Sequence, residues 1–234
     1  SLMSYLNKFE IETSYGIKAW KRWGNTAEQI IKSNPYVLCI QGVDLSFSRA
    51  DAVAAKSDIP ADSECRIKAG ITYILRQNAD QGHTCLPLDS LVKTAVSYLD
   101  VDEKLIKKVI EDETEEENLY YYDKHGRRFV MLADFYKAED YIARRLAIMR
   151  QISYDNKIDF SEVIDLEEEN NGIQYEKIQR EAINLALSKG FLVLTGGPGT
   201  GKTTTLNAII SLYQQQGLNV MTVSYTHLTL PTIA

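Results

Sequence analysis

The sequence predicts a multidomain protein: a mainly helical region, then a small α+β module, then the beginning of an α/β lobe. Three observations carry this prediction. Short segments of helical periodicity, separated by turns, fill residues 1–82. Residues 83–151 have the order helix, helix, hairpin and long helix. Near the end, an apolar run, a glycine-rich loop and an amphipathic segment follow one another between residues 191 and 217.

The composition is that of an ordinary globular protein. The chain has 234 residues, of which 44% are hydrophobic and 25% charged, and its net charge is −6. No apolar run reaches membrane-spanning length and the first ten residues lack a signal peptide's apolar core, so we expect a cytoplasmic protein without a membrane segment. Cys39, Cys65 and Cys85 are widely spaced, which favours reduced thiols over a zinc site or a disulfide framework.

The negative charge is concentrated in the middle of the chain. Residues 83–172 carry 21 acidic and 12 basic side chains, whereas residues 1–82 carry 9 and 10. An acidic protein is an unfavourable partner for nucleic acid, but this distribution leaves the N-terminal region close to neutral. The acidic runs at 111–117 and 165–170 are typical of solvated turns and linkers, and we expect a linker over residues 152–173.

The first module contains a pattern similar to a helix-hairpin-helix motif. In CIQGVDLSFSRADAVAAK, Gly42 lies in a turn before a helix, where backbone amides contact a DNA phosphate without reading the bases. Lys18, Lys21 and Arg22 are further candidate DNA contacts. Asp44 stands where such a hairpin has its second glycine, which argues against close phosphate approach. The alternative is a helical bundle whose hairpins only pack.

The second module, residues 83–151, has the order of a winged-helix-like domain. The segments LYYYD and RRFVML flank a short turn, which predicts a hairpin with Gly126 in the left-handed region. Lys124, Arg127 and Arg128 at this hairpin are candidate contacts to a nucleic-acid backbone. A basic hairpin tip without a ligand is an equally good interpretation.

Two helices of this module are defined by a cap and by an apolar stripe. Asp102 is placed to cap the helix that follows it. Residues 134–151 form a long amphipathic pattern, with Tyr141, Leu146 and Ile148 expected to face the core.

The third module, residues 174–223, has the order strand, loop and helix. The run FLVL at 191–194 suits a buried parallel strand, and residues 218–223 predict another. Between them, TGGPGTGKTTT contains the complete G-x-x-x-x-G-K-[ST] pattern of a phosphate-binding P-loop, from Gly196 to Thr203. A plain glycine-rich connector is the alternative, and the flanking segments favour the P-loop.

The chemistry of such a loop gives its residues defined roles. Glycines let phosphate oxygens approach the main chain, so that amides at a helix N-terminus surround the β-phosphate. Lys202 is predicted to reach the β- and γ-phosphates of ATP and Thr203 to ligate Mg²⁺, which makes these two the candidate catalytic residues. The predicted ATP contacts of the loop are Gly197, Pro198, Gly199, Thr200, Gly201, Lys202, Thr203 and Thr204.

The segment YEKIQREAINLAL, followed by FLVLTGGPGTGKTTTLNAII, resembles the start of the motor core of superfamily 1 helicases of the RecD/TraA type. In that family, the position of Gln179 holds a glutamine that reads adenine with its side-chain amide. An exposed helix glutamine is the alternative. Upstream, NPYVL, RADAVA and RIKAGITYIL resemble the N-terminal extension of the stand-alone bacterial RecD-like helicases, so the resemblance extends over residues 1–223.

The resemblance implies an ATP-dependent 5′-to-3′ DNA helicase of repair and recombination that uses ATP and Mg²⁺. Its implied substrates are single-stranded DNA and junctions of single- and double-stranded DNA, and residues 174–223 then begin a truncated RecA-like P-loop lobe. The Walker B acidic pair, the arginine finger and the second motor lobe are expected outside this chain, which alone should be inactive. Residues 224–234, SYTHLTLPTIA, depart from the family pattern and are expected to be a foreign tail.

Two other classes of protein stay open at this point. An AAA+ type ATPase fused to a DNA-binding region would also contain the loop, although Gln179 and the helical extension argue against it. A non-catalytic DNA-binding or protein-docking module would need no nucleotide. Binding of single-stranded DNA across a salt series separates DNA binding from docking, because phosphate contacts weaken steeply with salt.

Overall fold

The computed structural model describes residues 2–152 and 160–223. The chain divides into two compact units, Ser1–Glu139 and Asp140–Ala234, and each is described by itself. The predicted foreign tail, residues 224–234, lies outside the described residues. In the described ranges, none of the helices is both long and apolar enough to cross a membrane.

Short helices separated by turns make up most of the first unit, as predicted. The helices are α1 (Leu2–Asn7), α2 (Thr13–Trp23), α3 (Ala27–Ser33), α4 (Phe47–Ala55), α5 (Glu64–Asp80), α6 (Leu88–Leu99) and α7 (Glu103–Glu115). Two 3-10 turns interrupt them, at Gly24–Thr26 and Pro35–Cys39. Asn34 caps the second turn, because its Oδ1 accepts a hydrogen bond from the Tyr36 amide at 3.0 Å.

Small residues let α2 lie close against α1. A Cβ built on Gly16 would come within 2.5 Å of Met3 Sδ. Ala19, one helical turn later, is fully buried. This contact fixes which face of α2 is turned inward, and it leaves Ile17 and Trp20 46% and 56% exposed.

The helix α5 is the centre of the core in the first unit. Ile67, Ile71 and Leu75 are buried at helical spacing along it. At Gly70, α5 approaches α6 so closely that a Cβ would lie 2.6 Å from Leu99 Cδ2. Hydrophobic side chains from both sides of residue 82 share this core, so the predicted module boundary there lies inside one packed unit.

A three-stranded antiparallel sheet completes the first unit, with the order β1–β3–β2. Its strands are β1 (Cys85–Pro87), β2 (Leu119–Lys124) and β3 (Arg127–Leu132). In the turn between β2 and β3, His125 and Gly126 have φ values of 50° and 73°. Two positive φ values define the two-residue turn that suits the twist of a hairpin. The predicted hairpin, with Gly126 in the left-handed region, is confirmed.

The helices around the sheet agree with the predicted bounds, but one predicted face is wrong. Asp102 caps α7, since its Oδ1 accepts from the Lys104 amide at 2.8 Å. The long helix α8 (Ala133–Gln151) also forms. Its Tyr141 and Ile148, expected in the core, are 64% and 54% exposed, and Leu146 is only partly buried. An apolar stripe predicts which face of a helix a neighbouring element can bury, but it does not establish that such a neighbour is present.

In the described residues, the second unit contains the part of α8 from Asp140 onward and three further helices, α9 (Ser161–Asn171), α10 (Lys177–Ser188) and α11 (Lys202–Gln215). The helix α9 occupies part of the predicted linker, so that interpretation of residues 152–173 is wrong for this stretch. Ile164 of α9 is 2% exposed and shares one core with Ile183 and Leu212. The acidic run suggested a solvated linker because the buried apolar residue of α9, Ile164, lies just before the run, and Leu166 within it is exposed.

The two predicted strands of this unit do not pair into a sheet within the described residues. In the first, at 191–194, Phe191 and Val193 are 39% and 65% exposed. In the second, at 218–223, Val223 is 72% exposed. Hydrogen bonds to a neighbour define a strand, so an apolar run without a neighbour stays extended chain. The α/β character of this unit therefore stays a prediction.

An ion pair with further hydrogen bonds ties α4, α5 and α6 together. Arg66 donates from Nε to Asp51 Oδ1 at 2.7 Å and from Nη2 to Asp51 Oδ2 at 3.2 Å. The Tyr36 hydroxyl donates to Asp51 Oδ1 at 2.5 Å, and Arg66 Nη1 donates to the carbonyls of Ala61 and Leu99. Burial alone would raise the pKa of Asp51, but the hydrogen bonds from Arg66 and Tyr36 outweigh it and lower that pKa.

We predict that Asp51→Asn lowers the free energy of unfolding by about 2 kcal/mol at neutral pH, because charge-assisted hydrogen bonds are lost. Since the folded-state pKa of Asp51 is lowered, its stabilisation is complete above the unfolded pKa of about 3.9 and is lost as the pH falls through the folded pKa. Urea unfolding across pH should show the two proteins converging in acid. The control is Asp62→Asn, at an exposed aspartate of the same unit, and an equal loss there would contradict the prediction.

Candidate functional site

The glycine-rich loop leads directly into α11 through two residues of left-handed backbone. Gly199 and Gly201 have φ values of 75° and 73°. Gly201 is the N-cap of α11, so the helix begins at Lys202. A non-glycine residue is strained at these φ values, which explains the need for glycine at both positions.

The Lys202 ammonium lies within the curve of the loop. Its Nζ donates to the carbonyl oxygens of Gly196 and Gly197, at 2.7 and 2.5 Å. The Thr200 hydroxyl also donates to the Gly197 carbonyl, at 2.9 Å. The loop thus folds around one positive charge carried by the first residue of α11.

The start of α11 presents backbone amides beside this charge. The first hydrogen bond of the helix ladder runs from the Thr205 amide to the Gly201 carbonyl, at 2.9 Å. The amides of Lys202, Thr203 and Thr204 therefore precede the ladder at the positive end of the helix dipole. The Thr203 side chain is exposed in the first turn, where a hydroxyl can join the oxygen ligands that Mg²⁺ prefers. This donor set fits a polyphosphate with its Mg²⁺.

Gln179 lies against the same loop. Its Nε2 is so close to Gly201 that a Cβ on that glycine would lie 2.2 Å away. Its Oε1 accepts from the Glu176 amide at 2.8 Å, and the two residues form the capping box of α10. The structure therefore brings Gln179 to the predicted ATP site and also gives it a structural role at the helix start.

Acidic residues of α9 hold the helices that carry these groups, and the sequence analysis missed them. Arg180, next to Gln179, donates to Glu168 Oε2 at 2.6 Å and to Asp165 Oδ1 at 2.5 Å. Gln215, near the end of α11, donates to the buried Glu167 at 2.7 Å. The available signal was the spacing of Phe160 and Ile164, four residues apart just before the acidic run.

In the first unit, three of the predicted DNA contacts meet at the turn before α4. Lys18 Nζ donates to the Val43 carbonyl at 3.1 Å, and Arg22 Nη1 lies 3.5 Å from the Gln41 carbonyl. Gly42 has a φ of 94° within this turn. Lys21 is exposed on the same helix, α2.

The Gly42 amide, which the hairpin pattern leaves available for a phosphate, already has a hydrogen-bond partner within the chain. It donates to Asp44 Oδ1 at 3.0 Å, and Asp44 Oδ2 lies 3.6 Å from Lys18 Nζ. Asp44 itself has a φ of 65°, a conformation that aspartate tolerates better than most residues. A carboxylate of the chain thus occupies the place that the sequence assigns to a phosphate.

The other predicted DNA contacts lie at the β2–β3 hairpin. Lys124 and Arg127 are paired in register beside the turn and are exposed. Arg128 makes a bidentate ion pair with Asp123, at 2.9 and 3.0 Å, and lies 4.8 Å from the centre of the Tyr121 ring. Lys124 and Arg127 are therefore better placed than Arg128 to meet an external anion.

A lysine held in a glycine-rich loop at a helix start defines the class of P-loop nucleotide-binding proteins. In agreement with this class, residues 179–233 match the family model of an AAA domain. Residues 1–85 match the family model of the ATP-dependent RecD2 DNA helicase HHH domain. The first of these matches reaches into residues 224–233, which are part of the predicted foreign tail.

Curated relatives have short matching segments. The chain is 58% identical over 38 residues to RecBCD enzyme subunit RecD of Mycobacterium tuberculosis (strain CDC 1551 / Oshkosh), which is 16% of this chain and 7% of the relative. It is 44% identical over 52 residues to DNA replication ATP-dependent helicase/nuclease DNA2 of Mus musculus, which is 22% of this chain and 5% of the relative. The chain thus spans less than a tenth of the length of these relatives. Together with the family matches, these relatives support the resemblance of the chain to the N-terminal portion of RecD-like helicases.

We predict that Gly201→Ala destabilises the second unit by about 1–2 kcal/mol, because alanine is strained at a φ of 73°. The new Cβ also displaces Gln179, so Gly201→Ala combined with Gln179→Ala should cost less than the sum of the single changes. Amide hydrogen exchange in α10 and α11 measures this unit separately.

The matched control for this prediction is Gly197→Ala. A Cβ there makes only an ordinary contact, 4.0 Å from Thr200 Cγ2, so its effect on exchange should be small. Equal destabilisation by both changes would contradict the role of the backbone conformation at Gly201.

Proposed function

We propose that this chain is the N-terminal portion of an ATP-dependent 5′-to-3′ DNA helicase of the cytoplasm that acts in DNA repair and recombination. The observation that carries the proposal is the Lys202 ammonium inside a glycine-rich loop at the start of α11, with Gln179 beside it. The matched HHH domain is that of an ATP-dependent DNA helicase, and the DNA2 relative is an ATP-dependent helicase/nuclease.

The nucleotide contacts follow from the donors of the loop. The amides from Gly197 to Thr203, including those of Gly199, Thr200 and Gly201, surround the β-phosphate, and the Thr204 amide holds the α-phosphate. Pro198, which has no N–H, shapes the loop. Lys202 leaves the Gly196 and Gly197 carbonyls for the β- and γ-phosphates. Thr203 would hold Mg²⁺, which would neutralise charge that develops on the phosphates. Gln179 reads adenine through its Nε2, because its Oε1 serves the cap of α10.

The DNA contacts lie in the first unit. Residues 1–82 act as a helix-hairpin-helix module, and residues 83–151 act as a winged-helix-like module. Lys18, Lys21 and Arg22 contact phosphates from α2, and the Gly42 amide joins them only when Asp44 releases it. The nucleic-acid backbone is also contacted from the β2–β3 hairpin, the wing of the second module, by Lys124, Arg127 and Arg128. Single-stranded DNA and junctions of single- and double-stranded DNA are the substrates, and residues 174–223 begin the RecA-like lobe.

We predict that Lys202→Ala weakens binding of a fluorescent ATP analogue with Mg²⁺ by about tenfold or more, because a charge-assisted contact to phosphate is lost. In the complete protein, the same change should abolish ATP-driven unwinding and leave DNA binding nearly intact. Lys177→Ala, at an exposed lysine that begins α10, is the control. Unchanged nucleotide binding in Lys202→Ala would remove the site assignment.

We predict that Lys18→Ala combined with Arg22→Ala reduces the salt dependence of single-stranded DNA binding, with the log–log slope falling by about 1.4 for two lost phosphate contacts. Filter binding across a KCl series measures this slope. Lys56→Ala changes a charge at an exposed position just after α4 and should leave the slope unchanged. If the slope is the same in the α2 variants as in the unchanged chain, the DNA contacts lie elsewhere.

A further inference from the structure

We propose that Trp20 on α2 stacks on an unpaired base of single-stranded DNA. The proposal rests on the proposed function and adds a base-contacting side chain where that function assigns only phosphate contacts. Aromatic rings beside basic side chains bind single strands because every base has a flat face on which to stack. Bases of a duplex are already stacked on one another, so such a ring favours the unpaired strand.

Trp20 has the exposure that this contact requires. The residue is 56% exposed, and Ile17, one turn earlier on the same helix, is 46% exposed. Because Gly16 packs tightly against Met3, α2 cannot rotate to bury this strip without losing that contact. The other tryptophan of the chain, Trp23, packs partly against the core. The outer face of α2 therefore presents one largely exposed indole.

Basic side chains share α2 with this indole: Lys21 follows it directly, whereas Lys18 and Arg22 reach the turn before α4. Lys18, Lys21 and Arg22 lie on α2, which contains no acidic residue. The Arg22 guanidinium lies 5.9 Å from the centre of the Trp23 ring, so a cation and an aromatic ring already share this surface. The charges suit a polyanion and the exposed ring suits a base, and single-stranded DNA offers both.

The turn before α4 offers DNA fewer accessible contacts than its sequence predicts. The Gly42 amide already donates to Asp44 Oδ1, and Lys18 Nζ lies 3.6 Å from the same carboxylate. A phosphate can use this amide only by displacing Asp44. Side chains of α2 therefore provide the accessible contacts, and among these Trp20 is the one that can meet a base.

A cleft between the turn before α4 and the helix α5 is a weaker site for single-stranded DNA. It has a volume of about 900 Å³ and includes the Tyr73 ring. Its cations are already paired, since Lys68 lies 2.7 Å from Glu113 and Arg76 lies 2.5 Å from Asp134. Paired cations offer little attraction to phosphate. On α2, Lys18 is also paired, with Asp44, but Lys21 and Arg22 form no ion pair within the described residues.

The test compares Trp20→Ala with the unchanged 234-residue chain, by fluorescence anisotropy of a labelled thymidine oligonucleotide and of a blunt duplex of the same length. We expect Kd for the single strand to rise about tenfold, and Kd for the duplex to change by less than about twofold. Ile17→Ala removes an apolar side chain from the same strip without removing a ring, and should leave both unchanged. Equal weakening for both DNAs, or no weakening, overturns the proposal.

A second readout follows the indole directly. Trp20→Phe and Trp23→Phe each leave one tryptophan in the chain. The single strand should quench the emission of the Trp23→Phe protein and leave that of the Trp20→Phe protein unchanged. Trp20→Phe should also retain part of the affinity that Trp20→Ala loses, since a phenyl ring can stack. Quenching confined to the Trp20→Phe protein overturns the proposal.

The same titrations separate this inference from the proposed function. Salt-dependent binding that Lys18→Ala weakens and Trp20→Ala does not would end the stacking inference and leave the DNA site in place. If the unchanged chain binds neither DNA, the DNA part of the proposed function fails and the stacking inference fails with it.

Discussion

The left-handed backbone at Gly201 is the constraint on which the second unit depends. It sets the start of α11 at Lys202, and from there the lysine side chain reaches back to the loop carbonyls. It also requires a residue without a side chain, and the Gln179 amide fills the space this leaves. At its other end, α11 is held by the hydrogen bond from Gln215 to the buried Glu167. The loop is thus positioned by contacts at both ends of the helix that follows it.

Features set by neighbouring residues were predictable from the sequence. The cap at Asp102 and the hairpin turn at Gly126 each depend on a few adjacent residues, and both are found where the sequence places them. The P-loop pattern is equally local, because its lysine and glycines act within one turn of backbone. The structure adds the proximity of Gln179 to Gly201, which spacing along the chain does not establish.

Features that depend on distant partners were not predictable. A strand at 191–194 needs a neighbour, and Tyr141 on α8 needs a surface to cover it. The acidic run in α9 looked solvated, but Glu167 and Glu168 accept hydrogen bonds from residues of α11 and α10. In each case, whether the segment is buried or paired depends on a partner that lies far away in the sequence.

Asp44 places a carboxylate of the chain itself at the turn before α4. Because this carboxylate is tethered two residues from the Gly42 amide, its effective concentration there is far above that of any dissolved ligand. An external anion has to offer more charge or more simultaneous contacts than one carboxylate to take its place. Under the proposed function, the turn therefore favours a ligand of high valency: a nucleic-acid strand, which brings many phosphates at once, would displace Asp44 more readily than free phosphate or an acidic side chain of another protein.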